Sequence, residues 1–140
     1  MFVGFDYGTS NCAIGAFSQG QPQLITLGAQ EPLLPSTLYA PQRETIMAWL
    51  AQTLPDSVLK TAWLKQRGPA IMAGKRAQQE LELDGIDTNL QFGASALQRY
   101  LEEPEEGYYI KSPKSFLGAT GLNTVQLALF EDIVTAMFCH

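Results

Sequence analysis

The 140-residue chain is 46% hydrophobic and 16% charged, enough apolar material for one buried core and too little charge for a coiled coil or a disordered chain. Nine basic against fourteen acidic residues leave a net charge of −5, which argues against a general nucleic-acid or anionic-membrane binder, because such binding draws its affinity from neutralised phosphates. Cys12 and Cys139 form neither a metal-binding pair nor a disulfide framework, no apolar run approaches the roughly 20 residues that cross a bilayer, and the N-terminus lacks a basic leader, so the expected compartment is the cytoplasm.

The opening reads as a meander of three antiparallel strands. Phe2 to Asp6 and Cys12 to Phe17 are short apolar runs joined by the turn residues Gly8-Thr9-Ser10-Asn11, and Gln23 to Leu27 follows a second turn with alternating polar and apolar residues. Pro32, Pro35 and Pro41 then leave room for only a short extended piece, Ser36 to Tyr39. From Arg43 the period becomes helical: Ile46, Met47, Leu50 and Leu54 predict a helix ended by Pro55, and Asp56 or Ser57 is placed to cap a second that stops at Gly68-Pro69. Ala70 to Leu83 is a third candidate helix and Ala94 to Glu103 a fourth, closed by Pro104. Tyr108-Tyr109-Ile110 reads as a strand. Asn123 or Thr124 caps a last helix whose stripes Val125, Leu129, Ile133, Met137 and Phe130, Val134, Phe138 repeat every fourth residue. That stripe runs to His140 without a stop signal, so the expectation is a chain truncated within a helix and cut from something longer.

Two segments carry chemistry. In Phe5-Asp6-Tyr7-Gly8-Thr9-Ser10-Asn11-Cys12 an acidic residue ends a strand and a tight turn follows. Such a turn points backbone N–H groups into one concavity that attracts anionic oxygens. Gly8 allows a phosphate close, Thr9 and Ser10 add hydroxyl donors, and Asp6 could hold a hydrated Mg²⁺ through water. The same residues also suit an ordinary polar hairpin turn. In Lys111-Ser112-Pro113-Lys114-Ser115-Phe116-Leu117-Gly118, Pro113 is expected to hold Ser112 extended and stiffen the approach to Lys114, whose ammonium could stabilise charge or orient water at a γ-phosphate. A surface loop lysine is the alternative.

Taken together, Gly4 to Cys12 resembles the first phosphate motif of the actin-like ATPases, closest to the DnaK-type heat-shock chaperones. Leu34-Pro35-Ser36-Thr37 resembles the Thr-Pro-Ser stretch of those chaperones, and Lys111 to Gly118 resembles their catalytic-lysine segment. Phe92-Gly93-Ala94-Ser95-Ala96-Leu97 and Leu129-Phe130-Glu131-Asp132 add similarity to the bacterial YegD type of DnaK-like chaperone. The resemblance spans essentially the whole chain. It implies an α/β fold, the N-terminal lobe of an actin-like, ribonuclease-H-like ATPase. Residues 1–30 would begin the nucleotide-binding subdomain, with its phosphate turn at 6–12. Residues 31–111 would form a helix-rich insertion, and 112–140 would return to the first subdomain.

By the same resemblance, ATP or ADP and Mg²⁺ are the expected cofactors, and unfolded client proteins or cochaperones the expected partners. Asp6 would lie near the metal, with Gly8, Thr9, Ser10 and Asn11 on the phosphates and Lys114 beside the attacking water. The second phosphate motif, the adenosine motif and the peptide-binding domain would lie beyond His140, so the 140 residues alone, gripping neither adenine nor the far side of the phosphates, are expected not to be catalytically competent. Departures from the family pattern concentrate between Pro41 and Gly107. An actin-like sugar kinase, which shares the Asp-x-Gly-Thr turn, and a non-enzymatic interaction module that kept the fold are the alternatives.

Other patterns fail on their own terms. Gly68 to Gly74-Lys75-Arg76 misses the Walker A spacing and its Ser/Thr. The segment from Asp87 lacks the turn glycine and bidentate acid of a calcium loop. His140 is the single histidine, too few for a triad or a His-rich zinc site. Cys12 reads as a small buried hydrophobe. Glu102, Glu103, Glu105 and Glu106 read as a solvated helix end, and Lys60, Lys65, Arg67, Lys75 and Arg76 as an exposed helical face.

Overall fold

The computed structural model describes residues 2–27 and 31–140, a mixed α/β arrangement of two antiparallel sheets with, among the described residues, four α-helices. The first sheet is the expected meander. β1 (Val3–Tyr7), β2 (Asn11–Ser18) and β3 (Gln21–Ile25) pair in chain order, and the two-residue strand β4 (Leu34–Pro35) continues the β3 side of β2. Register follows from the turns: Phe5 lies opposite Ile14 and Tyr7 opposite Cys12, so period-2 alternation puts Val3, Phe5, Tyr7, Cys12 and Ile14 on one face and Asp6 on the other. The expected subdomain boundary after residue 30 lies outside the described residues.

The second sheet has the order β6-β5-β7, built from β5 (Thr37–Ala40), β6 (Gln91–Phe92) and β7 (Tyr108–Lys111). Its central strand is buried at every residue, as a strand covered on both faces and paired on both edges must be. α1 (Thr45–Thr53) and α4 (Thr124–Cys139) pack with this sheet around Leu38, Ile46, Leu50 and Ile133, all fully buried. Cys12 joins the same cluster from the meander, so one core draws on all three expected segments. α3 (Ala94–Glu102) lies against β5 with Ala96 buried and Leu101 exposed.

Two expected helices are one. α2 runs unbroken from Val58 to Leu83 with Pro69 inside it. Pro69 lacks the N–H that would bond Lys65, and its ring crowds that carbonyl. The helix continues because the stripe beyond it, Ile71, Gly74, Ala77 and Leu81, is buried. At Gly74 the two helices come so close that a side chain would run into the Glu44 carbonyl and Ala48 of α1. Tertiary packing thus outweighs one lost hydrogen bond.

The caps obey local chemistry. Ser57 accepts from the Lys60 N–H at the start of α2. Asn123 and Gln126 bond each other's backbone N–H reciprocally at the start of α4. α2 and α4 are then joined across the molecule: Asp132, 4% exposed, accepts from Trp63 Nε1 at 2.9 Å and from Arg67 Nε at 2.9 Å. The expected exposed basic face therefore holds only in part, because Arg67 turns inward to a buried carboxylate and Lys60, its side chain 14% exposed, donates to the Leu54 carbonyl, while Lys65, Lys75 and Arg76 stay in solvent. At the end of α3, Arg99 pairs with Glu102 and Glu103 at the surface. Among the described residues, no helix is long and apolar enough to cross a membrane.

Candidate functional site

The turn between β1 and β2 is held on its inner side by the chain 28 residues later. Ser36, 1% exposed, donates its hydroxyl to the Gly8 carbonyl at 2.8 Å and its backbone N–H to the Ser10 carbonyl at 2.9 Å. Across the turn itself the Gly8 N–H bonds the Asn11 carbonyl at 3.0 Å. A Cβ on Gly8 would sit 2.5 Å from that same carbonyl oxygen, so only glycine closes this bend. Thr9, Ser10 and Asn11 remain exposed, as does Asp6. The candidate phosphate ligands form an open rim above a fixed floor.

Lys114 arrives at this rim from the far end of the sequence. Its Nζ donates to the Tyr7 carbonyl at 2.7 Å, a contact across 107 residues, and lies 5.8 Å from the centre of the Tyr7 ring. The direction of approach follows from strand geometry. Gly8 and Phe2 bond toward β2, so alternation turns the N–H and C=O groups of Val3, Phe5 and Tyr7 to the opposite, open edge of β1. Lys114 occupies the Tyr7 position on that edge. Asp6 projects from the face opposite Tyr7, and among the described residues no ion pair joins it to Lys114. The lysine meets the backbone leading into the turn, and the carboxylate is left to solvent.

What aims Lys114 differs from the expectation. Ser112 is not extended: it adopts φ 55°, ψ 51°, left-handed backbone that a non-glycine residue before proline rarely takes. Three contacts impose it. The Ser112 N–H donates to the Ser36 carbonyl at 2.8 Å, the Ser112 carbonyl accepts from Ser115 at 3.0 Å, and Pro113 is fully buried at the start of a 3₁₀ turn over Pro113–Phe116. Sequence reasoning found Lys114 and missed the bend that positions it, because a pre-proline preference is local and these contacts are not.

Beneath the rim the environment is apolar. Burial, aided by the nearby Cys12 thiol, pushes the Tyr7 hydroxyl up to about 12. Among the described residues that buried hydroxyl has no hydrogen-bond partner. Burial also raises the Cys12 thiol, the Ser36 hydroxyl beside it lowers it, and Asp6 and Lys114 are both near enough to act on it in opposite senses. The Ser36 proton is committed to the Gly8 carbonyl, so the thiol, 3.3 Å from Ser36 Oγ, is the donor in that pair. Cys12 is a packed, protonated residue under the site, as expected of a small buried hydrophobe. A hollow of about 780 Å³ lies elsewhere, between α1, α2 and α4, and none of its lining residues belongs to the turn.

The donors present fit a phosphate better than a caged metal. Among the described residues no group of three or more His, Cys, Asp or Glu side chains could hold a metal ion. A lone exposed carboxylate beside a glycine turn suits Mg²⁺ kept by its waters and by a ligand's oxygens. No family model matches this chain, and no solved structure is a significant match.

Proposed function

We propose that this chain is the phosphate-side wall of an actin-like ATPase of the DnaK-type chaperone kind, binding the phosphates of Mg·ATP at the Gly8–Asn11 turn. The observation that supports it most is the convergence of three segments far apart in sequence. The turn, Ser36 and the Lys114 loop are tied by hydrogen bonds around the end of β1, Ser36 to the carbonyls of Gly8 and Ser10 and Lys114 to that of Tyr7, and these are the segments whose residues resemble that family. Thr9, Ser10 and Asn11 supply neutral donors to phosphate oxygens, Lys114 supplies a positive charge, and Asp6 holds Mg²⁺ through water. Bound there, the ion would neutralise charge on the phosphates. Lys114 is free to exchange its bond to a neutral carbonyl for a charged oxygen, which is the stronger partner. In the whole protein, hydrolysis would change the angle between lobes and so control a client or cochaperone.

Titrating Mg·ATP into the ¹⁵N-labelled chain tests this reading. The amides of Gly8, Thr9, Ser10 and Asn11 should shift first and saturably, and Lys114→Ala should weaken but not abolish the response. The chain alone should release no phosphate. A response confined to other residues, or none at the turn at millimolar nucleotide, overturns the proposal.

A further inference from the structure

Ser36 makes two bonds whose consequence lies on the other side of the peptide planes they hold. Its hydroxyl fixes the Gly8 carbonyl and its N–H fixes the Ser10 carbonyl. In a trans peptide the C=O of one residue and the N–H of the next point in opposite directions, and no cis peptide interrupts the described chain. Pinning these two carbonyls inward therefore turns the N–H groups of Thr9 and Asn11 away from Ser36, and both residues lie on the exposed rim. The Ser36 carbonyl meanwhile accepts from Ser112, in the left-handed residue two before Lys114. One fully buried serine holds both halves of the site by three of its own groups.

We propose that Ser36 is the positioning residue of this site: it aims the Thr9 and Asn11 N–H groups at a bound anionic oxygen and fixes the distance between the turn and Lys114. The proposal rests on the reading of the turn as a phosphate site for the identity of the anion, but not for the orientation of the turn. A serine suits the position because it joins a donor short enough to reach Gly8 with a volume the fully packed site accepts. Alanine keeps both backbone bonds and loses the hydroxyl, which frees the Gly8–Thr9 plane to rotate. Loss of one such buried bond is expected to weaken anion binding about tenfold.

The test compares Ser36→Ala with Thr37→Val in the full chain. Thr37 is the next residue, also buried, and its hydroxyl bonds the Gly93 carbonyl, away from the turn. Backbone ¹⁵N relaxation of Thr9 and Asn11 is measured without ligand, then the affinity for Mg·ATP by titration. Expected are faster motion at Thr9 in Ser36→Ala alone and about tenfold weaker binding, with Thr37→Val less stable yet wild type at the turn. If both variants loosen the turn equally, or neither does, Ser36 has no special positioning role and the proposal falls. If Ser36→Ala loosens Thr9 while the unaltered chain ignores Mg·ATP, the orientation of the turn by Ser36 stands and the phosphate reading fails. Should Ser36→Ala not fold, Ser36→Cys under reducing conditions keeps a weaker donor of similar size, and an unchanged Thr9 in that variant counts against the proposal.

Discussion

The two sheets share a core and differ in how much of them it covers. In the second sheet β5 is buried at all four residues, with Leu38 and Ala40 inaccessible. In the first, every residue of β3 is exposed, and Phe2, Val3, Phe17 and Leu24 are each more than half exposed. Yet the turn of the candidate site sits on the thin sheet. Such a turn has little packing of its own, so its shape is set by what the dense region lends it: Ser36 at the entrance to β5, and Ser112 and Lys114 just beyond β7. A site at a boundary of this kind gains exposure for a ligand from one side and geometry from the other.

That contrast can be broken from either side. Truncating the dense side should cost most: Leu50→Ala removes a fully buried side chain and should lose about 3 kcal/mol. Leu24→Ala, at 58% exposure, should stay within about 0.5 kcal/mol. Paired denaturant titrations measure both, and equal losses would mean the meander is covered as fully as the core. Asp132→Ala should approach the first value, about 3 kcal/mol, because it leaves the Trp63 N–H without its partner and the Arg67 guanidinium with only the Glu131 carboxylate 3.9 Å away. Asp132→Asn, which can keep the Trp63 bond, should lose less, and the difference reports the ion pair.

An effect of the opposite sign belongs to the turn's own floor. Tyr7→Phe deletes a buried hydroxyl without a partner among the described residues, so stability at pH 7 should be unchanged or rise by up to about 1 kcal/mol. Its pH dependence has a definite sign. The folded chain keeps the Tyr7 proton up to about 12, whereas the unfolded chain releases it near the ordinary value of 10.0. Between those values the folded state binds more protons, so stability falls as pH rises. Burial raises Tyr39, Tyr108 and Tyr109 as well, so Tyr7→Phe should shallow the alkaline loss between pH 10 and 12 rather than abolish it. Thermal unfolding across that window checks it, and an identical slope in both proteins would contradict the burial of Tyr7.

Much of the fold was legible locally. The meander, α1, α3, β7 and the Asn123 cap of α4 follow from alternation, helical spacing and turn residues, and each lies within two residues of its expected bounds. Pro69 misled, because breaking a helix is a local tendency and the burial of Gly74 and Ala77 against α1 is not local. Ser112 misled for the same reason. Arg67 read as surface because its partner stands 65 residues away. In the candidate site the residue types at Asp6, Gly8, Thr9, Ser10, Asn11 and Lys114 were legible from motif and resemblance, but the hub role of Ser36 was not, since a serine after proline shows nothing of its burial.

The sequence by itself determined the opening meander, the positions of α1, α3, β7 and the start of α4, and that a glycine bend follows an acid near its start, because those choices depend on neighbours a few residues apart. Only the tertiary structure decided that Ser36 grips two carbonyls of that bend, that Lys114 lies against Tyr7, and that Asp132 binds α2 to α4. Those contacts join residues 26 to 107 positions apart. Their geometry is set by how the helices and sheets pack around Leu38, Ile46, Leu50 and Ile133, a many-body fit that no short stretch of sequence encodes.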